Sequence, residues 1–312
     1  MKEYVFSYYP EFRCVAQRCK HTCCADWDMC IDEKTLSDYK NDKSTFSKKL
    51  CRGVNFKKSM FRSDKSGRCA FLNGEGLCEI IINLGEGALC QVCRDHPRFR
   101  SFFDDRVEMG LGFCCEEATR IILSYNDKIV PVLTFDDKKQ EQASFIQEHV
   151  LKFRQKALEA VQRRDENIND RINELLALCN AEITEQDVKK FFKTFVSFER
   201  LGKSWSNRLK MLKKKPLDYK TDESFSLWCE QFLVNSIYRH LSDAEDTMWV
   251  RARTLACVFS WWIIKGVFKS ELPSKDDFEL LCDIVRDYSA EVEYSQKNLD
   301  KLFNFAYKFI KL

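Results

Sequence analysis

The sequence has no long apolar run. Its most apolar stretch, TLACVFSWWIIKGVF at 254–268, carries Lys265 and Gly266 and is shorter than the roughly 20 residues a bilayer-spanning helix needs. It reads as a buried helix, and no membrane span is expected. The opening MKEYVFSYYP lacks the apolar core of roughly 7–15 residues that a secretion signal requires, since Glu3, Ser7 and Pro10 interrupt it. The expected location is cytoplasmic. Nor is there an excess of one charge: 51 Lys and Arg face 48 Asp and Glu, a formal +3. So balanced a field gives no reason to expect a nucleic-acid partner. The contiguous basic run KMLKKKP at 210–216 reads as a solvated helix end stopped by Pro216. No G-x-G-x-x-G follows a strand-like segment in either half; LNGEGLC and NLGEGALC are G-x-G turns at best, which weighs against a Rossmann-type nucleotide domain.

What the sequence has in excess is cysteine. Of 16, twelve lie at positions 14, 19, 23, 24, 30, 51, 69, 78, 90, 93, 114 and 115, and the rest of the chain holds Cys179, Cys229, Cys257 and Cys282. In a reducing compartment such clustering points to metal-binding or catalytic thiols over disulfides. The four scattered cysteines read as small buried hydrophobes. The string runs Cys19-x3-Cys23-Cys24, Cys69-x8-Cys78, Cys90-x2-Cys93 and Cys114-Cys115. Closely spaced thiolates on tight turns, joined by loops, suit a multidentate soft-metal site, each short motif supplying one or two ligands. Zinc would take four thiolates, or three with His21 or His96, and Cys90-x2-Cys93-x2-His96 has suitable spacing. An iron–sulfur cluster would take four cysteines, or three with one iron left open. The bacterial ferredoxin run is absent. So is the C-x3-C-x2-C loop of radical chemistry on S-adenosylmethionine, because Asp26 stands where its third cysteine would be.

The two halves differ in texture. In the first, Gly74, Gly76, Gly85, Gly87, Gly110 and Gly112 break the chain into short pieces, and VEMGLGFCC is the best strand candidate. Few residues there are free to build a conventional core, so ligated metal is expected to hold the segments together. In the second, apolar residues recur at helical spacing: Ile146, Val150, Phe153, Ala157 and Ala160 within 143–161, and Leu299, Leu302, Phe303, Ala306 and Phe309 near the end. Similar patterns over about 184–213, 224–241, 245–268 and 276–289 predict further helices, punctuated by Pro216, Pro273 and LSDAED, where Ser242 or Asp243 would serve as N-cap. The expected fold class is mainly α: a loop-rich cysteine-cluster domain with little β at 1–125, then an all-α helical domain at 126–312.

In this order, FRCVAQRCKHTCCADWDMCID, CAFLNGEGLCEI, CQVCRDHPRF and LGFCCEEA resemble the flagellin lysine-N-methylase family over about residues 4–120. Cys14, Cys19, Cys23 and Cys24 match the family's opening motif, with Trp27 and Asp32 in the W…ID that follows. Cys69 and Cys78 match the C-x-x-L…C pair, and Cys93 with Pro97 and Arg98 the C-x3-PR motif. Cys114 with Glu116 matches the position usually written C-P-E, where this chain has Cys115 in place of proline. The resemblance implies an S-adenosylmethionine-dependent protein-lysine N-methyltransferase acting on flagellin, with a 4Fe-4S cluster. Zinc is the alternative metal, and a non-catalytic or redox cysteine-cluster protein the alternative function. The ligands it implies are among Cys19, Cys23, Cys24, Cys69, Cys78, Cys93 and Cys114, with Cys30, Cys51, Cys90 and Cys115 left outside the set.

Lysine is a nucleophile only as the neutral amine, and a pKa of about 10.4 leaves it almost wholly charged at pH 7. A methylase must therefore desolvate it or set a base beside it. Candidate acids and bases near the cysteine motifs are Asp26, Asp95, His96 and Glu116, with Asp28 and Glu117 close by. The sulfonium of S-adenosylmethionine is already electrophilic, so holding amine, methyl and sulfur in line supplies much of the rate. Arg94 and Arg98 are candidate anchors for the cofactor carboxylate, and Trp27 a lid over the metal site or a platform for adenine. Trp261 and Trp262 are assigned to the core, and His149 and His240 receive no role.

Overall fold

The computed structural model describes residues 1–25, 27–138, 143–213, 220–271 and 277–311; Asp26, Pro216 and Pro273 lie outside the described residues. In chain order the elements begin with β1 (Lys2–Phe6), α1 (Glu33–Asn41), α2 (Ser47–Gly53), β2 (Val54–Asn55), β3 (Met60–Phe61), α3 (Glu79–Leu84) and α4 (Gln91–Asp95). They continue with β4 (Arg98–Phe102), β5 (Arg106–Leu111), α5 (Glu116–Ser124), β6 (Pro131–Asp136), α6 (Phe145–Val161), α7 (Ile168–Leu178) and α8 (Glu185–Phe195). The last are α9 (Lys203–Leu212), α10 (Ser226–His240), α11 (Thr247–Glu271), α12 (Phe278–Val292) and α13 (Gln296–Tyr307). The class is mainly α, as expected. Two compact units result: residues 13–98, and residues 1–12 together with 99–312. The expected boundary at 125/126 falls inside the larger unit, between α5 and β6.

The smaller unit is built of short pieces, yet it has an apolar core of its own. Met29, Ile31, Tyr39, Phe46, Leu50, Val54, Phe61, Phe71 and Ile80 are buried in one cluster together with Cys69 and Cys90. Phe71 meets Phe61 edge-on at 5.3 Å and Phe46 at 5.9 Å. Gly53 is required there, because a Cβ at that position would overlap the Phe71 ring. The expectation that too few residues remain for a core is therefore corrected: the aromatic residues between the cysteine motifs supply one.

In the larger unit the opening residues form a strand. The sheet order is β4-β5-β1-β6, with β1 parallel to β5 (Lys2 beside Arg106, Val5 beside Met109) and antiparallel to β6. VEMGLGFCC does supply a strand, β5, which ends just ahead of the cysteine pair. The helices lie close to the predicted spans, with these departures. The 184–213 pattern is two helices, α8 starting in a Thr184/Asp187 capping box and α9 at Gly202. The helix α7 was not among the predicted segments, and the stretch 126–312, expected to be all helix, opens with a strand, β6, because it pairs with β1. The cap of α11 is Asp246, whose carboxylate accepts the Trp249 amide at 2.8 Å, so neither Ser242 nor Asp243 caps it; Asp243 pairs instead with Arg253. Every residue of the 254–268 stretch is buried in α11, Trp261 and Trp262 included. A helix apolar on all sides is a core helix, and among the described residues no helix is long and apolar enough to cross a membrane.

Candidate metal centre

Three short structures in the smaller unit carry its thiols. The Cys69 amide donates to the Cys24 carbonyl at 2.8 Å, which lays the first motif beside the second. A tight turn around Asn73 then bridges Leu72 to Cys78, and the Glu79 amide donates to the Phe71 carbonyl at 2.8 Å. Cys90 and Cys93 sit on α4, Cys90 at its N-cap, with their thiols hydrogen-bonded to each other. Asp32 ties this helix to the rest: one carboxylate oxygen accepts the Thr35 amide at 3.0 Å, capping α1, and the other accepts the Gln91 amide at 2.8 Å, the first of α4.

The thiols feel one another electrostatically. A hydrogen bond from Cys23 brings the Cys24 thiol down to about 7 against the opposing effect of burial, helped by Thr22 and Arg68. Burial pushes Cys69 up to about 11, and negative charge on Cys24, Cys78 or Cys90 adds to the rise. Burial likewise raises Cys78, with Cys24 contributing. In the Cys90–Cys93 pair the shared hydrogen bond lowers Cys90 and raises Cys93, which also senses Cys24 and Cys69. Cys24, Cys69, Cys78, Cys90 and Cys93 thus form one group of interacting thiols. Among the described residues, no three or more His, Cys, Asp or Glu side chains stand in an arrangement that would itself hold a metal ion. Thiols are the soft donors that zinc and iron–sulfur clusters take, but as placed here these five are not brought together closely enough to hold either.

Of the sequence candidates, Cys24, Cys69, Cys78 and Cys93 are in this group, with Cys23 bonded to Cys24. The Cys19 thiol donates to the His21 carbonyl within its own turn at 3.3 Å. Cys114 belongs to the larger unit, where burial pushes its thiol up to about 12 and Tyr294 is its hydrogen-bond partner. Cys90, set aside in the sequence, is buried within the group; its C-x2-C spacing to Cys93 was the signal. Cys14, Cys30 and Cys51 are exposed. The Trp27 indole donates to the Cys23 carbonyl at 2.5 Å and its ring lies 6.1 Å from that of His96, so these two candidates share the neighbourhood of the first motif. Asp95 ends α4, Arg94 is exposed on it, and Arg98 donates to the Arg94 carbonyl at 3.2 Å. Glu116, buried at the first position of α5, lies in the larger unit with Arg120 at 3.9 Å. Asp26 lies outside the described residues. The larger unit also gives His240 a partner that sequence did not suggest: its Nε2 is 3.1 Å from the Glu293 carboxylate.

Comparison with known proteins bears on this arrangement. Two curated proteins named lysine-N-methylase, from Salmonella typhimurium (strain LT2) and Salmonella choleraesuis (strain SC-B67), are each 27% identical over 124 residues, 37% of this chain and 31% of theirs. The flagellar biosynthetic protein FliU of Salmonella muenchen is 26% identical over 124 residues, 37% of this chain and 73% of its own. This chain resembles the flagellin lysine methylases. The likeness read from the cysteine motifs is thus met again in whole-sequence comparison, and it spans about a third of the two lysine-N-methylases. No family model and no solved structure matches the chain. Within the methylase-like W…ID, Asp32 acts structurally, fixing the helix that carries Cys90 and Cys93.

Proposed function

We propose that the protein is a protein-lysine N-methyltransferase that acts in the cytoplasm, moving the methyl group of S-adenosylmethionine to lysine side chains of flagellin before export. The similarity to curated lysine-N-methylases carries this reading. The clustering of cysteine motifs in the sequence supports its metal-dependent form. Cys24, Cys69, Cys78, Cys90 and Cys93 would supply the ligands of a 4Fe-4S cluster, with zinc as the alternative, and the metal would bind the amino-acid end of the cofactor or brace the small unit. In the transfer itself the neutral lysine nitrogen attacks the methyl carbon, the carbon–sulfur bond breaks, S-adenosylhomocysteine leaves as a thioether, and the methylated amine gives up a proton. Asp95 and His96 would be the groups beside the thiol motifs that take it, Arg94 and Arg98 would anchor the cofactor carboxylate, and Trp27 would cover the site.

Two measurements test this. Anaerobically purified protein should hold about four iron and four sulfide per chain, and with S-adenosylmethionine it should add methyl mass to lysine-containing peptides of purified flagellin. Stoichiometric zinc with no transfer would favour the non-catalytic reading. Iron and sulfide without methyl transfer would leave a redox protein.

A further inference from the structure

The nearly neutral total charge conceals an uneven distribution. Residues 13–98 hold 16 Lys and Arg against 11 Asp and Glu, a formal +5, whereas the larger unit holds 35 against 37. The excess is concentrated from Lys40 to Arg68, where ten basic residues accompany two acidic ones, Asp42 and Asp64. Both acids are engaged in local turns. Asp42 accepts from the Ser44 hydroxyl at 2.6 Å, and Asp64 from the Ser66 and Arg68 amides at 2.8 and 3.1 Å.

Six of these basic residues stand exposed along α2, the hairpin that follows it directly and the turn after that. Lys48 and Arg52 are one helical turn apart on α2 and both are exposed. The helix runs directly into the β2–β3 hairpin, whose connection 56–59 presents Lys57 and Lys58 to solvent. The return strand brings Arg62 back to the end of α2, its amide donating to the Gly53 carbonyl at 2.8 Å, and exposed Lys65 follows in the next turn. The aromatic side chains of this region face inward: Phe46 and Phe61 are buried and Phe56 is half-buried. The surface therefore offers charge without the stacking platforms on which single-stranded nucleic acid is held.

We propose that this surface, formed by Lys48, Arg52, Lys57, Lys58, Arg62 and Lys65, docks an acidic polypeptide segment. Each exposed pairing with a carboxylate contributes little, but six exposed cations within 18 positions of one unit act together, steering association and making it steeply dependent on salt. The inference rests on charge and placement, and stands apart from metal binding and methyl transfer.

The test uses the full chain and two fluorescein-labelled probes of equal charge, an oligoglutamate peptide and a single-stranded oligonucleotide, titrated by anisotropy at low and physiological salt. The peptide should bind, lose affinity as salt rises, and bind at least tenfold more weakly to the exposed-site variant R52Q/K57Q/K58Q/R62Q, checked for an unchanged melting curve. The variant K189Q/K193Q on α8, which also removes two exposed lysines, should bind the peptide as the parent does. Absence of peptide binding, equal loss in both variants, no loss in either, or tighter binding of the oligonucleotide would overturn the proposal.

Discussion

Removing the Asp32 carboxylate should loosen two helices at once. Its oxygens serve the N-termini of α1 and α4, where the helix dipoles also favour negative charge. Losing the cap costs about 1 kcal/mol, and losing the charge-assisted bond to Gln91 costs about 1.5–3 kcal/mol more in a protected site. Asp32 is half-buried, so the second figure is discounted and the expected total for D32A is about 2 kcal/mol, or roughly thirtyfold in local opening. Hydrogen exchange read by mass spectrometry should show this as faster exchange in both 33–41 and 91–95. D32N, which keeps an acceptor for Thr35, should fall between. The amide bonds from Gln91 and Thr35 hold the Asp32 pKa at about 2, below the usual 3.8. The carboxylate therefore binds its proton less readily in the folded chain. Its contribution is complete above about pH 4 and is lost as pH falls towards 2, so wild type and D32N should converge over that window. Unchanged exchange in 91–95 for D32A, with fraying confined to α1, would refute the bridging role.

Other outcomes follow from the same packing. Serine at Cys69 or Cys90 should abolish bound metal in the purified protein, whereas serine at exposed Cys30 or Cys51 should leave metal content unchanged by elemental analysis. In the larger unit the Arg154 guanidinium grips the Glu108 carboxylate at 2.7 Å through two bonds, both side chains buried. R154M should cost about 3–5 kcal/mol in urea unfolding by stranding that charge, and E108L/R154M should recover much of the loss. A methyl group added at Gly110 would stand 2.5 Å from the Phe99 ring and 2.7 Å from that of Phe6, so G110A should lower stability by about 1–3 kcal/mol.

Legibility varied with the range of the interaction. Helices such as α6, α10, α11 and α12 announce themselves because their apolar faces are local patterns, and the buried 254–268 stretch could be told from a membrane span by length and by Lys265 alone. The sheet was illegible beyond β5, since β1 acquires its meaning only from partners more than a hundred residues away. The thiol group was legible as a set of motifs. Its membership was less so: Cys90 and Cys114 are equally motif-like in sequence, yet burial and chain topology put Cys90 among the other thiols and give Cys114 a tyrosine partner in the larger unit. The role of Asp32 could be half read, because a capping aspartate before a helix is a local signal, but its bond to Gln91 crosses 59 positions. The charge imbalance between the units was arithmetically available, and only a boundary at 13 and 98 makes it visible.

That boundary also sets an order of events during synthesis. The parallel neighbour of β1 begins at Arg106 and its antiparallel neighbour at Pro131, so β1 waits for about a hundred further residues, roughly 5–20 s at ordinary elongation rates. All of the thiols from Cys19 to Cys93 leave the ribosome within that interval. The inserted unit can thus complete its own core while the strand that precedes it is still without a sheet.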